Sequence, residues 1–417
     1  MTLTRYVPAK PRDLLARVLQ QPDLVAAVRA LPPRAIGALV RQIGLEDAGE
    51  LVALVTPEQL TRILDEDVWK TSRPGGDETF DDERFALWLE VLLEAGDEAV
   101  AEKLVALPEE LVTLGLFRQI LVFDMDALAE DVSAMDDDDA TQVEKKLGDG
   151  LYQELDAYRI ISRRHEGWDA VLNVLLALDK NHHDFLVRIL EHLCVATASL
   201  VEDNGGLCEA LTSAEMLASD AEADREDRRA GEGFVAPAAA RSFLALTKTQ
   251  SVDDVLQEKQ SDPVTRAYFR DLQSAPIASP ASPADESAAR PLLALLAAVD
   301  VELAPAPALL GAGDASEAHP FRNAMTELSV RDPALYARRL DELAFVVNVL
   351  SAGSRKEGRA YRPVEAVEDA VEACNVGLQT ARTSRPRTSA AELLTTLSVD
   401  RLFRIGWRVK QSASSPA

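Results

Sequence analysis

The sequence predicts an all-α protein, and three observations carry that expectation. Leu and Ala dominate a composition that is 47% hydrophobic but only 5% aromatic, which favours helices, because strands draw on β-branched and aromatic side chains. Between Leu24 and Trp69, apolar residues recur every twelve positions. Further along, apolar residues return at helical spacing between breaks rich in proline and glycine.

Pro11 to Gln20 reads as a first amphipathic helix, with Leu14, Leu15, Val18 and Leu19 on one stripe. The twelve-residue columns follow it. Leu24, Ile36, Ala48 and Leu60 fall in register, as do Val28, Val40, Val52 and Leu64, then Leu31, Ile43 and Val55, then Leu39, Leu51 and Ile63. The turns repeat as well: Pro33, Leu45 and Pro57 precede Arg34, Glu46 and Glu58, and Thr56-Pro57-Glu58-Gln59 spells a capping box with proline at the first helical position. Each unit is therefore one short helix and a turn. Such helices do not stand alone in water, so they must stack and share an apolar seam. The expectation is an N-terminal superhelix of short stacked helices, followed by helical domains.

Ser72-Arg73-Pro74-Gly75-Gly76 breaks the chain after Trp69, and a helix from Asp81 presents Phe85, Trp88, Leu89 and Leu92 until Gly96 stops it. Leu107-Pro108-Glu109-Glu110 restarts the proline-capped pattern, with Leu111 to Val122 as a buried helix. Residues 1–130 are expected to form the superhelical domain. A central helical domain over 131–273 holds two long helical segments between Leu151 and Leu200, with Asp179 to Asp184 between them, then a charged, largely solvated helix from Ala214 to Arg229. Residues 274–284, rich in Pro, Ser and Ala, read as a linker. A C-terminal helical domain spans 285–417, with a helix from Ala334 to Leu350, a buried Cys374, a closing helix after Leu397-Ser398-Val399-Asp400, and a disordered end from Gln411.

The signature Leu31-Pro32-Pro33 and Val55-Thr56-Pro57-Glu58, with apolar residues four, seven and eight places on, resembles the short-helix superhelical domains of bacterial magnesium transporters and of the flagellar motor switch protein. Leu64-Asp65-Glu66-Asp67-Val68-Trp69 and Leu402-Phe403-Arg404-Ile405-Gly406-Trp407 look like those of a family of soluble helical bacterial proteins known only as a domain of unknown function. That second resemblance implies a helical fold and no particular activity.

Net charge is −26, with −17 of it between residues 73 and 160, so a nucleic-acid backbone would be repelled. Three cysteines, Cys194, Cys208 and Cys374, form no CxxC pair and point to a reducing compartment, the cytoplasm. The sequence has no apolar leader and no run long enough to span a membrane. The aspartate run Asp136 to Asp139 fails as a calcium loop, because Thr141 and Leu147 stand where glycine and glutamate are required.

No Walker motif, GxSxG elbow, HExxH or dinucleotide fingerprint is present, so no catalytic residue, cofactor or cofactor site is assigned. His182, His183, His192 and Cys194 form the one cluster of ligand-type side chains. On a continuous helix His183 and His192 would face opposite ways, so it too is assigned no metal. The expected function is a non-catalytic cytoplasmic scaffold that binds a protein partner. Arg34, Arg41, Glu46, Glu58 and Arg62, the charges between the apolar columns, are the interaction candidates. One alternative is a ligand or divalent-cation sensor that uses the acidic middle region, with magnesium suggested by the transporter resemblance, and the other is an enzyme with a motif-free active site.

Overall fold

A computed structural model describes residues 11–71, 76, 78–127, 129, 151–202, 213–258, 260–274, 283–297 and 319–414. Among these the architecture is all-α with a few short strands. Two compact units are present, one built from residues 1–70, 79–225 and 279–301 and the other from 71–78, 226–278 and 302–417.

The first unit begins with α1 (Pro11–Leu19), α2 (Leu24–Arg29), α3 (Pro33–Ile43), a 3-10 turn at Leu45–Asp47, α4 (Gly49–Leu54) and α5 (Pro57–Asp67). These are the short helices that the periodicity predicts. The columns are buried, with Ile36, Ala48, Leu60, Val28, Leu39 and Leu51 all fully shielded and only Leu24 partly open. The capping box at Thr56 and Gln59 forms as expected. Gln59 does more than cap, since its Nε2 donates to the carbonyls of Val28, Arg29 and Leu31 at 3.0, 3.1 and 2.8 Å. It ties the start of α5 to the end of α2, satisfying carbonyls that a short helix leaves unpaired.

β1 (Trp69–Thr71) and β2 (Glu78–Phe80) flank the expected break as a two-stranded ribbon. α6 (Asp82–Leu93), α7 (Asp97–Val105) and α8 (Glu109–Gln119) follow, with Gly96 in the left-handed region at φ +97° closing the turn after α6. Asp67 holds α5 to α6 by accepting from Arg84 Nε at 2.7 Å and Trp88 Nε1 at 2.8 Å.

The chain then departs from the expected run of helices. Ile120 to Asp124 is β3, and β4 (Tyr152–Leu155) and β5 (Tyr158–Ser162) form a hairpin, so the three strands make an antiparallel sheet in the order β3-β5-β4. Ile120 pairs with Ser162 and Asp124 with Tyr158. The physical reason is legible in hindsight: Tyr158-Arg159-Ile160-Ile161 and Ile120-Leu121-Val122-Phe123 are rich in aromatic and branched side chains. Asp156 takes the left-handed turn conformation at φ +50°. α9 (Trp168–Glu202) packs on the sheet and on α6, α7 and α8. It is broken at His182, at φ −144° and ψ 51°, inside the Asp179 to Asp184 stretch expected to separate two helices.

α10 (Ser213–Gly231) is not the solvated helix its charge suggests throughout. Arg225 is buried, with Nε donating to the Asp65 carbonyl at 2.6 Å and its guanidinium 4.6 Å from the centre of the Trp69 ring. α11 (Pro237–Thr249), α12 (Val252–Gln257) and α13 (Pro263–Ser274) belong to the second unit. α14 (Pro283–Ala297) returns to the first unit and buries Ala289, Leu292 and Leu296. It packs against α1, α2 and α3. The compact units therefore differ from the expected division at 130, 273 and 284, because the start of the expected third domain finds its apolar partner in the N-terminal helices.

The second unit is completed by α15 (Pro320–Arg331), α16 (Pro333–Gly353), α17 (Pro363–Ser384), α18 (Ala390–Thr396) and α19 (Val399–Ser414). Helix α19 runs to Ser414, past the expected disordered start at Gln411. Its core stacks Phe243 edge-on to Phe345 at 5.3 Å and Phe403 against Trp407 at 5.4 Å. α17 and α19 lie so close that a side chain added at Gly377 would strike the Leu402 carbonyl, and one at Gly406 the Ala373 carbonyl. The Asp136 to Asp139 run, Cys208 and most of the expected linker lie outside the described residues.

Candidate functional site

The second unit contains a half-open cavity of about 620 Å³, within the range of small-molecule pockets. Helices α13, α16 and α19 position its walls. Each starts where the sequence provides a cap: Asp262 accepts from Thr265 N at 3.0 Å and from its hydroxyl at 2.5 Å, and Asp332 accepts from Leu335 N at 3.0 Å. The first turn of α19 is capped from another helix, because Glu342 Oε2 accepts the Val399 N–H at 2.8 Å. Asp400 is thereby placed one residue further along, in the wall of the cavity with Thr265, Phe269, Asp341 and Glu342.

The two innermost carboxylates differ in one decisive respect. Glu342 is fully engaged, its Oε1 receiving Arg339 Nη1 at 2.6 Å while Arg339 Nε donates to the Leu394 carbonyl at 2.8 Å. Asp400 is 1% exposed, and neither of its oxygens has a hydrogen-bond partner of ordinary geometry. Burial pushes its carboxyl up to about 6, opposed by the nearby Ser398 hydroxyl, reinforced by the Glu342 and Asp262 charges, and opposed again by Arg404. Arg404 does not neutralise it, because that buried guanidinium grips Glu258 through two bonds of 2.7 and 3.2 Å and also meets Gln250. Burial raises Asp341 as well. Arg266 and Arg338 line the same cavity, both exposed. The buried lining thus carries the carboxylates of Glu342 and Asp400, whereas the exposed lining carries arginines together with Asp341.

Sequence reasoning did not single out Asp341, Glu342 or Asp400. Asp400 reads locally as an acid in a first helical turn, favoured by the helix dipole; that its carboxylate is buried without a partner of ordinary geometry emerges only from the tertiary packing.

The residues that the sequence does single out fall elsewhere, in the first unit. His182, His183, His192 and Cys194 do not converge. His183 Nδ1 lies 2.9 Å from Asp179 Oδ1 and its Nε2 3.6 Å from Asp156 Oδ2, whereas His192 lies 3.9 Å from Glu109. The half-buried Cys194 thiol is pushed up by burial. Asp156, Asp179 and His183 are the group among the described residues whose donor atoms come within 4.8 Å of one another. A metal-bound imidazole uses one nitrogen for the ion and the other for an orienting carboxylate. Here the two aspartates sit at opposite nitrogens, which fits an imidazolium held between two carboxylates. The Asp179 hydrogen bond leads in holding the His183 pKa above its ordinary value.

Among the interaction candidates, Arg34 and Arg41 come together on either side of Glu66, at 3.9 and 3.7 Å, while Glu46 and Glu58 are exposed. Arg62, the fifth candidate, is half-buried and lies 3.9 Å from the fully buried Asp65.

Residues 2–205 match a family of unknown function, DUF6178. That stretch, just under half of the chain, is similar to the family, and it contains the Leu64 to Trp69 motif. The Leu402 to Trp407 motif and the Asp400 cavity lie beyond the residues matched. No curated protein and no solved structure matches the chain. No helix among the described residues is long and apolar enough to cross a membrane.

Proposed function

We propose that the protein is a non-catalytic helical scaffold of the cytoplasm, and that the face of the short-helix stack bearing Arg34, Arg41, Glu46 and Glu58 meets a protein partner. The observation that carries this reading is the Arg34, Glu66 and Arg41 constellation. Its ion pairs are 3.9 and 3.7 Å long and its arginine side chains 68% and 49% exposed, a geometry that adds little to stability. Folding therefore does not account for these charges, whereas the apolar columns beneath them are accounted for completely. Stacked short helices leave one side of each helix free, which is the usual binding surface of such arrays. Residues 1–72 carry no net charge in a chain at −26, so an acidic partner would be repelled less here than by the acidic residues 73–160.

The sensing alternative gains one supporting observation, the Asp156, Asp179 and His183 group. An imidazole in the set argues for a proton or a transition metal over magnesium, which takes oxygen ligands. Crosslinking the protein in its native extract, followed by mapping of the linked residues, tests the scaffold reading. Links to a partner should concentrate between residues 30 and 70 and disappear in Arg34→Glu/Arg41→Glu while the melting temperature stays unchanged. Links that persist in that variant would place the binding surface elsewhere.

A further inference from the structure

The cavity between α13, α16 and α19 goes beyond the scaffold reading and does not rest on it. Three features need one explanation. Asp400, 1% exposed, has no hydrogen-bond partner of ordinary geometry at either oxygen, with the Ser398 hydroxyl and the Arg404 charge nearby only partly offsetting its burial, although a buried carboxylate is costly unless paired. The neighbouring Glu342 has spent both its oxygens on Arg339 and on the Val399 N–H. The basic groups stand at the outside, with the Arg338 side chain 75% exposed and 3.6 Å from Glu342, and the exposed Arg266 3.4 Å from Gln260.

The chemistry narrows the ligand class. An apolar ligand would leave Asp400 buried and unpaired. An anion would meet the buried carboxylates of Asp400 and Glu342. A bare divalent cation requires several oxygen donors, and both Glu342 oxygens already accept hydrogen bonds, from Arg339 and from the Val399 N–H. A protonated amine supplies what Asp400 lacks, a charge-assisted donor, and a carboxylate at the ligand's other end suits the arginines at the mouth. We propose that this cavity binds a small zwitterion, with its ammonium group on Asp400 and its carboxylate between Arg266 and Arg338.

The test is calorimetric titration of the full chain with the ω-amino acids from glycine to 6-aminohexanoate, beside n-butylamine and butyrate. At least one amino acid should bind and raise the melting temperature by mass action, with the amine weaker and butyrate silent. Asp400→Asn should weaken that ligand about thirtyfold or more while the unliganded protein melts no lower, because the substitution removes an unpaired buried charge. A merely structural Asp400 would instead lower the melting temperature. Arg338→Gln, at an exposed position that should fold regardless, should weaken the amino acid several-fold and leave the amine unaffected. The proposal is overturned if no probe binds, if butyrate binds as tightly as the amino acids, or if Arg338→Gln and Asp400→Asn keep the full affinity.

Discussion

His183 is exposed, yet its imidazole is hydrogen-bonded at Nδ1 to Asp179 on its own helix and faced at Nε2, 3.6 Å away, by Asp156 at the tip of the β4–β5 hairpin. The sequence shows the histidine and Asp179 four residues apart, a spacing that places both on one helix face. It does not show Asp156, because that contact exists only once residues 152–162 fold as strands, where helix was expected. The consequence is a pH dependence with a definite sign. The folded-state pKa is raised, so the group stabilises the fold fully below the ordinary histidine value of about 6.5 and loses that contribution as pH rises through the folded value. Thermal melts of wild type and His183→Gln should therefore differ at pH ~5.5 and converge by pH ~8.5. An equal gap at both pH values would show that the imidazolium bridge does not form in solution. The cavity residues were hidden for a related reason: Asp400 is an ordinary first-turn acid until tertiary packing removes its partners.

At the scale of the element, the short helices were legible because three local signals agree: apolar columns, proline at the first helical position, and the Thr56 and Gln59 capping box. The sheet was missed because its strands are only four or five residues long, too short for period-two alternation to stand out from a buried helix. The close approach of α17 and α19 was missed for a different reason. Gly377 and Gly406 look like weak points in α17 and α19, since glycine costs a helix about 1 kcal/mol relative to alanine. The structure reverses that reading, because each glycine faces a backbone carbonyl of the other helix. Gly406→Ala would gain the propensity term yet drive a methyl group into the Ala373 carbonyl, and overpacking of this kind costs about 1–3 kcal/mol or more. Urea denaturation should find the variant less stable by about 1 kcal/mol or more. A variant as stable as wild type would mean that the two helices are further apart than described.

For the whole molecule, the all-α class followed from composition and the DUF6178 match covers residues 2–205, but the extent of each compact unit did not follow from linear order. Residues 283–297 join the N-terminal helices because their apolar stripe is completed by α2 and α3, a pairing across more than two hundred residues that no local composition shift announces. The acidic balance likewise bounded the partners without naming one. The scaffold reading reduces to a claim about charge: Arg34 and Arg41 do little for folding and are available for association. Exposed charges at an interface act chiefly on the encounter rate, and salt screens them. The most direct measurement is stopped-flow association of the crosslinked partner, once purified, with wild type and Arg34→Glu/Arg41→Glu over a range of salt concentrations. The account predicts an association rate lower by about tenfold at low salt, a flatter salt dependence and a smaller change in dissociation. An association rate that the double reversal leaves unchanged at every ionic strength would contradict it.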